Sequence, residues 1–370
     1  MNKHLIINIA ISFFSIYFIS LFHISTLTPT PSPITNGKVK AASTVKATLV
    51  NTTDTSLFTP PAPDTAGITF LTNENRLLIS DSEVNEMPIF TGKNLFEITY
   101  GGTLINTAST ISYSDEPTGL SFNPENNHIF ISDDNARRIN ELDPGSDGKY
   151  GTSDDKISYF STNSFGSGDP EGVAYGNGYL FIADGVGSKV FQTTLTGNLV
   201  KSFDLRQHGL NDPEGITYNP DNNSLFVVDR STKGVIEVTT NGELLTKIDI
   251  SAANSTSPAG IVYAPASNSN SKNLYVVERG VDNDSDPNEN DGKVYELSFQ
   301  PSQLTSTPTS SDVPGDANGD KIVDIHDYLI WLINFNIVKY GPNNGDFDRS
   351  GFVDGIDYSI WLHNFSNTSG

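Results

Sequence analysis

Short apolar runs separated by Gly, Asn, Asp and Pro fill the chain from Ala66 to Phe299, the pattern of successive β-strands rather than of helices. One phrase recurs five times: AGITF from Ala66, TGLSF from Thr118, EGVAY from Glu171, EGITY from Glu214 and AGIVY from Ala259. Its glycines stand at 67, 119, 172, 215 and 260, a repeat of 43 to 53 residues. Each copy continues into a second run ending in an acid, at Asp81, Asp133, Asp184, Asp229 and Glu278. A third run follows (NLFEI, RINEL, KVFQT, GVIEV, KVYEL), and in the first four copies a polar-alternating fourth. Four short strands per repeat predict an all-β propeller with five countable blades, a sixth irregular blade being left open. The fifth copy stops at Phe299 after three strands, whereas an alternating segment, Val45 to Asn51, precedes the first copy. That segment is expected to close the last blade and remove the open sheet edges.

Composition changes this picture in three ways. The 370 residues carry 22 Lys plus Arg against 44 Asp plus Glu, a formal charge of −22, which repels a phosphate backbone and excludes nucleic acid as a partner. Zero cysteines remove thiol nucleophiles, disulfides, zinc knuckles and iron–sulfur sites, so any metal is held by oxygen or imidazole and Ca2+ leads. Leu5 to Phe22 runs without a charge, the form of an export signal or anchor. Val39-Lys40-Ala41 has the small-residue form of a cleavage site. Residues 1–41 are therefore expected to be a leader, the protein secreted or at the cell surface, and any membrane contact confined to an uncleaved leader. A propeller over 42–299, a Ser/Thr/Pro linker over 300–314 and a second module over 315–366 complete the expected organisation.

The repeated pattern Pro-x-Gly-(Ile/Val), Asn-Pro-x-x-Asn and apolar-apolar-apolar-Asp resembles the NHL-type and phytase-like β-propellers. That resemblance implies the fold and leaves the activity open, since such discs carry hydrolases, lyases and pure binding platforms. The start of an inner strand and the end of the second lie at one edge of an antiparallel blade. Acids at Asp64, Glu116, Asp169 and Asp212 and the strand-two acids are thus expected on one face, with Arg138, Lys189, Arg230 and Arg279 as counterions. The strand-two acids have the alternative role of accepting backbone N–H groups of the following turn. Glu171 and Glu214 stand where other copies carry Ala66, Thr118 and Ala259, so no turn requires them. They are the candidate metal or substrate residues and, in an enzyme, the general acid and base. Asp282, Asp284 and Asp286 place oxygen on alternate residues and form a candidate calcium loop; Asp143, Asp147, Asp154 and Asp155 form a weaker one. His128 and His208 read as surface positions, and no G-x-S-x-G, H-E-x-x-H or P-loop occurs.

Two related segments follow the linker thirty residues apart, from Asp316 and from Asp346. Oxygen side chains fall at positions 1, 3, 5, 9 and 12 of each: Asp316, Asn318, Asp320, Asp324 and Asp327, then Asp346, Asp348, Ser350, Asp354 and Asp357. The carbonyls of Ile322 and Phe352 at position 7 complete the EF-hand order, which surrounds a hard cation with oxygens from one short stretch. Each loop leads into a helix, DYLIWLINF or DYSIWLHNF, and Tyr328, Trp331, Leu332 and Phe335 with their counterparts Tyr358, Trp361, Leu362 and Phe365 make the expected mutually buried faces. Loop then helix, twice, without an entering helix, resembles a dockerin. The resemblance implies a small all-α module that folds around two calcium ions and plugs into a cohesin-type scaffold protein. It further implies partner contacts at Ile325, His326, Gly355 and Ile356, and extracellular polysaccharide catabolism as the setting. Lys321 replaces Gly at position 6 and Ser350 a carboxylate or amide at position 5, which weakens calcium binding. Two functions stay open: a binding and assembly protein whose acidic face takes a carbohydrate or other small ligand, and an extracellular hydrolase of a phosphoester, lactone or glycosidic bond.

Overall fold

The computed structural model describes residues 43–281, 283, 285–299, 313–335, 337, 339, 341–347 and 353–367. The leader, the linker over 300–312, Asp282, Asp284, Asp348, Ser350 and Phe352 lie outside them.

The chain enters through β1 (Ser43–Lys46) and β2 (Thr48–Asp54). Blade one is β3 (Thr65–Leu71), β4 (Arg76–Asp81), β5 (Leu95–Ile98) and β6 (Leu104–Ala108). Blade two is β7 (Pro117–Asn123), β8 (His128–Asp133), β9 (Arg138–Asp143) and β10 (Lys156–Ser161). Blade three is β11 (Pro170–Gly176), β12 (Tyr179–Asp184), β13 (Lys189–Thr193) and β14 (Leu199–Asp204). Blade four is β15 (Pro213–Asn219), β16 (Ser224–Asp229), β17 (Gly234–Thr239) and β18 (Leu244–Asp249). Blade five is β19 (Pro258–Pro265), β20 (Lys272–Glu278) and β21 (Lys293–Ser298), completed by β2, which pairs antiparallel with β21. The closure read from the sequence is therefore present, and the blades number five. One detail was not anticipated: β1 pairs in parallel with β18, so one N-terminal segment covers the outer edge of blade four and then closes blade five.

Burial follows distance from the axis. The inner strands are nearly buried throughout, whereas the outer strand β10 is almost wholly exposed. Five apolar clusters each straddle two neighbouring blades, from Leu78 against Leu120 to Val277 against Ile79, so the core is a ring of five junctions. Tight turns join the strands. In Asn123-Pro124-Glu125-Asn126-Asn127 the Asn123 carboxamide accepts the Glu125 N–H at 2.9 Å, and Asn127 takes a left-handed φ of 64°, which Asn tolerates better than most residues.

The recurring glycines have a packing reason. At Gly119 a Cβ would lie 2.8 Å from the Cα of Gly172, at Gly172 3.0 Å from that of Gly215, at Gly215 2.8 Å from that of Gly260, and at Gly260 3.0 Å from that of Gly67. Gly67 returns to Gly119 at 3.1 Å. Backbones meet around the axis where no side chain fits.

The tail carries α1 (Ile325–Asn334) and α2 (Gly355–Asn367). Asp324 caps α1 by accepting the His326 N–H at 2.7 Å while Asp327 accepts the Asp324 N–H at 2.8 Å; Asp354 and Asp357 repeat both bonds on α2. This is the capping box. The Trp331 indole N–H donates to the Asp354 carbonyl and the Trp361 indole N–H to the Asp324 carbonyl, both at 2.9 Å. The expected helix faces need correction. Trp331 and Trp361 are buried with Val323 and Val353, each indole packing on the tyrosine of the opposite helix, Tyr358 and Tyr328, at 5.1 Å, but Leu332, Phe335 and Leu362 are each nearly half exposed. No helix among the described residues is long and apolar enough to cross a membrane.

Candidate functional site

Every inner strand breaks register with a bulge just before its glycine, at Thr65/Gly67, Pro117/Gly119, Pro170/Gly172 and Pro213/Gly215, and at Pro258/Ile261. A bulge re-aims the side chain it contains. The bulged residues are Ala66, Thr118, Glu171, Glu214 and Ala259, so two adjacent blades direct a glutamate into the mouth of the ring while three direct a small residue. Glu171 is 8% exposed and Glu214 3%. The residues preceding the inner strands, Asp64, Glu116, Asp169 and Asp212, stand beside them, as the sequence led one to expect.

The strand-two acids do not face this mouth; they take the alternative role. Asp229 accepts the N–H groups of Asn211 and Asp212 through one oxygen and that of Thr232 through the other, at 2.7 to 2.8 Å. Asp81 and Asp184 do the same in their blades, and Asp133 accepts from Ser114 and Ala136; each ties the incoming loop to the outgoing turn. Glu278 holds the incoming loop through Ser255, Thr256 and Ser257. Burial pushes Asp229 up, but these bonds outweigh it and hold the group below its ordinary value. At Asp81 burial wins and the value rises to about 6.

The residue after each strand-two acid reaches the mouth instead, and sequence reasoning missed this ring except for its arginines. It reads Ser82, Asp134, Gly185, Arg230, Arg279. Arg279 donates to Asp64 (3.1 Å) and to Glu83; burial alone would lower its basicity, and the acids Asp64, Glu83, Glu214 and Glu171 raise it instead. Arg230 donates from Nε to Asp212 at 2.9 Å. The same nitrogen lies 3.0 Å from Glu214 Oε1, but its N–H points at Asp212, so Oε1 accepts no hydrogen bond. Arg138 is elsewhere, on Asp133 and under the Tyr159 ring.

The electrostatics follow from eight acids against two arginines. Burial and the neighbouring Glu214 and Asp134 raise Glu171 well above the carboxylate range. Burial lifts Glu214 to about 7 against the pull of Arg230 and Arg279, Glu116 to about 8 and Asp134 to about 6. Asp134, Asp169 and Glu171 each bring an oxygen within 4.8 Å of the others. At the other end of the inner strands, Phe70, Phe122, Tyr175, Tyr218 and Tyr263 rim a pocket of about 300 Å³.

The other candidates fare differently. Asp286 is exposed and accepts the Asn288 N–H; its partners Asp282 and Asp284 lie outside the described residues. Asp154 and Asp155 accept backbone N–H groups of their own turn. His128 contacts Glu141 and His208 the Gly242 carbonyl. In the tail, Asp316 accepts from Gly319 and Lys321 at 2.7 Å and Asp320 from Ile322. Asp327, fully buried, accepts from Ala317 and Asn318, and Asp357, also buried, from Phe347. Lys321 adopts a φ of 73°, the left-handed turn that suits Gly at position 6. Four acids curled within one loop, with two of them buried or nearly so, fit a hard divalent cation. Ile325, His326, Gly355 and Ile356 are all exposed.

Residues 203–268 match the SdiA-regulated family. No curated protein matches the chain. Among solved structures, the glutaminyl cyclase of Myxococcus xanthus aligns at 13% identity over 70% of this chain and 98% of its own, with a TM-score of 0.49. A PQQ-bound aldose sugar dehydrogenase from Streptomyces coelicolor aligns at 12% over 70% and 99% (TM-score 0.43). An inactive virginiamycin B lyase from Staphylococcus aureus aligns at 18% over 71% and 89% (TM-score 0.38). At these values none bears on the ligand or the reaction of this chain.

Proposed function

We propose that the chain is an exported binding protein fastened by its tail: residues 315–366 take up two Ca2+ ions and dock to a cohesin-type scaffold, and the propeller offers its acidic mouth to an extracellular carbohydrate or other small ligand. The observation that carries the tail reading is its internal duplication, in which each loop's position-9 carbonyl accepts the indole N–H of the other half. Ordering one loop thereby orders the other. Ile325 and Ile356, 53% and 58% exposed, supply apolar surface at position 10 of the first loop and position 11 of the second, where a partner would read it.

The test uses the whole protein. Its two tryptophans are Trp331 and Trp361, so indole emission reports on the tail alone. Calcium is expected to change that emission in a saturable way that chelator reverses, and Ile325→Asp with Ile356→Asp to abolish retention on immobilised cohesin domains without altering it. Emission indifferent to calcium would sink the reading.

A second reading, hydrolysis at the mouth, is favoured by one observation: Glu171 and Glu214 sit on adjacent inner strands in unlike surroundings, only Glu214 having an arginine at 3.0 Å. Unequal environments separate an acid from a base. Turnover of a phosphoester, lactone or glycan that Glu171→Gln and Glu214→Gln each abolish would establish it; turnover surviving both removes it.

A further inference from the structure

The mouth contains four carboxylates that its arginines do not pair with, Glu116, Asp134, Asp169 and Glu171, and the last three cluster. Arg279 is held by Asp64 and Glu83, and Arg230 by Asp212. Asp134, Asp169 and Glu171 form no ion pair among the described residues, although each offers an oxygen within 4.8 Å of the other two. Oxygens bound to one calcium at about 2.4 Å are at most about 4.8 Å apart, so the spacing suits a shared ion.

Acidity alone would not make a site, but two further features do. Glu171 is more than nine-tenths buried, its bulge turns it into the cluster, and its carboxylate accepts no hydrogen bond from the described residues. Asp134 Oδ1 is likewise buried without a partner, and a buried polar atom left unpaired is costly. The space between them is kept by Gly185: a Cβ there would come within 2.7 Å of Asp169 Oδ2 and 3.1 Å of Glu171 Cγ. The corresponding positions of the other blades carry Ser82, Asp134, Arg230 and Arg279.

We propose that Asp134, Asp169 and Glu171 bind a calcium ion in the propeller mouth, independent of the tail loops. Three carboxylates without nitrogen or sulfur select a hard cation, and the side open to the mouth leaves coordination positions for water or for an anionic or hydroxyl oxygen of a ligand. This deepens the acidic-mouth reading and does not rest on the tail. Asp169 is held in place by the Val186 N–H at 2.9 Å, and Asp212, 3.6 Å from the same Gly185 position, stands next to the cluster.

The experiment counts calcium bound to the full chain by equilibrium dialysis, for the wild type, Glu171→Gln and Asp134→Asn, with indole emission followed in parallel. Each variant is expected to bind one ion fewer at about 1 mM calcium, its affinity at that site having fallen about 100-fold or more, with the tail's emission response unchanged. Both substitutions keep shape while removing charge, and retained β-sheet circular dichroism checks that they fold. Gly185→Ala, which removes no ligand, is expected to weaken the same site. Variants that bind as many ions as the wild type overturn the proposal. Failure of the tail reading would show separately, as a missing emission response beside an intact difference in ion count.

Discussion

Gly172 meets the Glu214 carbonyl and the Gly215 Cα where a methyl group would stand, at 2.8 and 3.0 Å, and backbone cannot swing aside as a side chain can. Gly172→Ala is expected to cost about 1–3 kcal/mol as a lowered denaturant midpoint, whereas Gly168→Ala, which points into open space, should leave it unchanged. The titration of the mouth and of the buried strand-two acid Asp81 supplies a second residue-scale prediction. Burial raises Asp81 to about 6, Glu214 to about 7 and Glu116 to about 8. Between the ordinary carboxylate range and pH 8 the folded state therefore holds protons that the unfolded chain has released, so stability falls as pH rises through that window. In chelator, the thermal midpoint should be lower at pH 8 than at pH 5; an equal or higher midpoint contradicts this assignment. At this scale the repeats disclosed only part of the site. An acid ends strand two in all five copies because every blade needs the same loop staple, so uniformity marked structure. The next position changes from Ser82 to Asp134, Gly185, Arg230 and Arg279, and that variation within one chain was the available signal. Burial and the direction of a bulge are tertiary quantities, which is why Glu171 was identifiable as unusual and Asp169 as an acid of the same face, but their grouping with Asp134 was not.

At the scale of elements, strand order was legible because each blade repeats the same turns and alternation. The N-terminal strand was legible by subtraction, since one strand lacked a partner. Its division into β1 and β2 was not, because Ala47 breaks the pairing only through its bond to the Asp249 carbonyl in another blade. Removing residues before Thr55 should expose the outer edges of β18 and β21 together, and the truncated protein is expected to associate in proportion to concentration, as read by light scattering. A truncated chain that stays monomeric and unfolds cooperatively would contradict the closure. The tail helices show the limit of periodicity: the aromatic stripe packs across the helix pair through Tyr328, Trp331, Tyr358 and Trp361, but Leu332 and Phe335, on the same stripe, stay nearly half exposed.

The molecule as a whole combines a core distributed over five junctions with a charge of −22, and where the ring opens eight acids face two arginines, an arrangement that binds cations and repels anions unless an ion stands between. Closure of that ring also imposes an order in time. Ser298 donates to the Thr48 carbonyl across 250 residues of chain, while the hairpins within each blade join near neighbours. Four blades consist of local pairings that form early, and the last must wait for both ends of the disc to meet. During synthesis the N-terminal strand thus spends the longest interval without its partner, and the polar residues Thr48, Asn51, Thr52 and Thr53 give it a soluble form in which to wait.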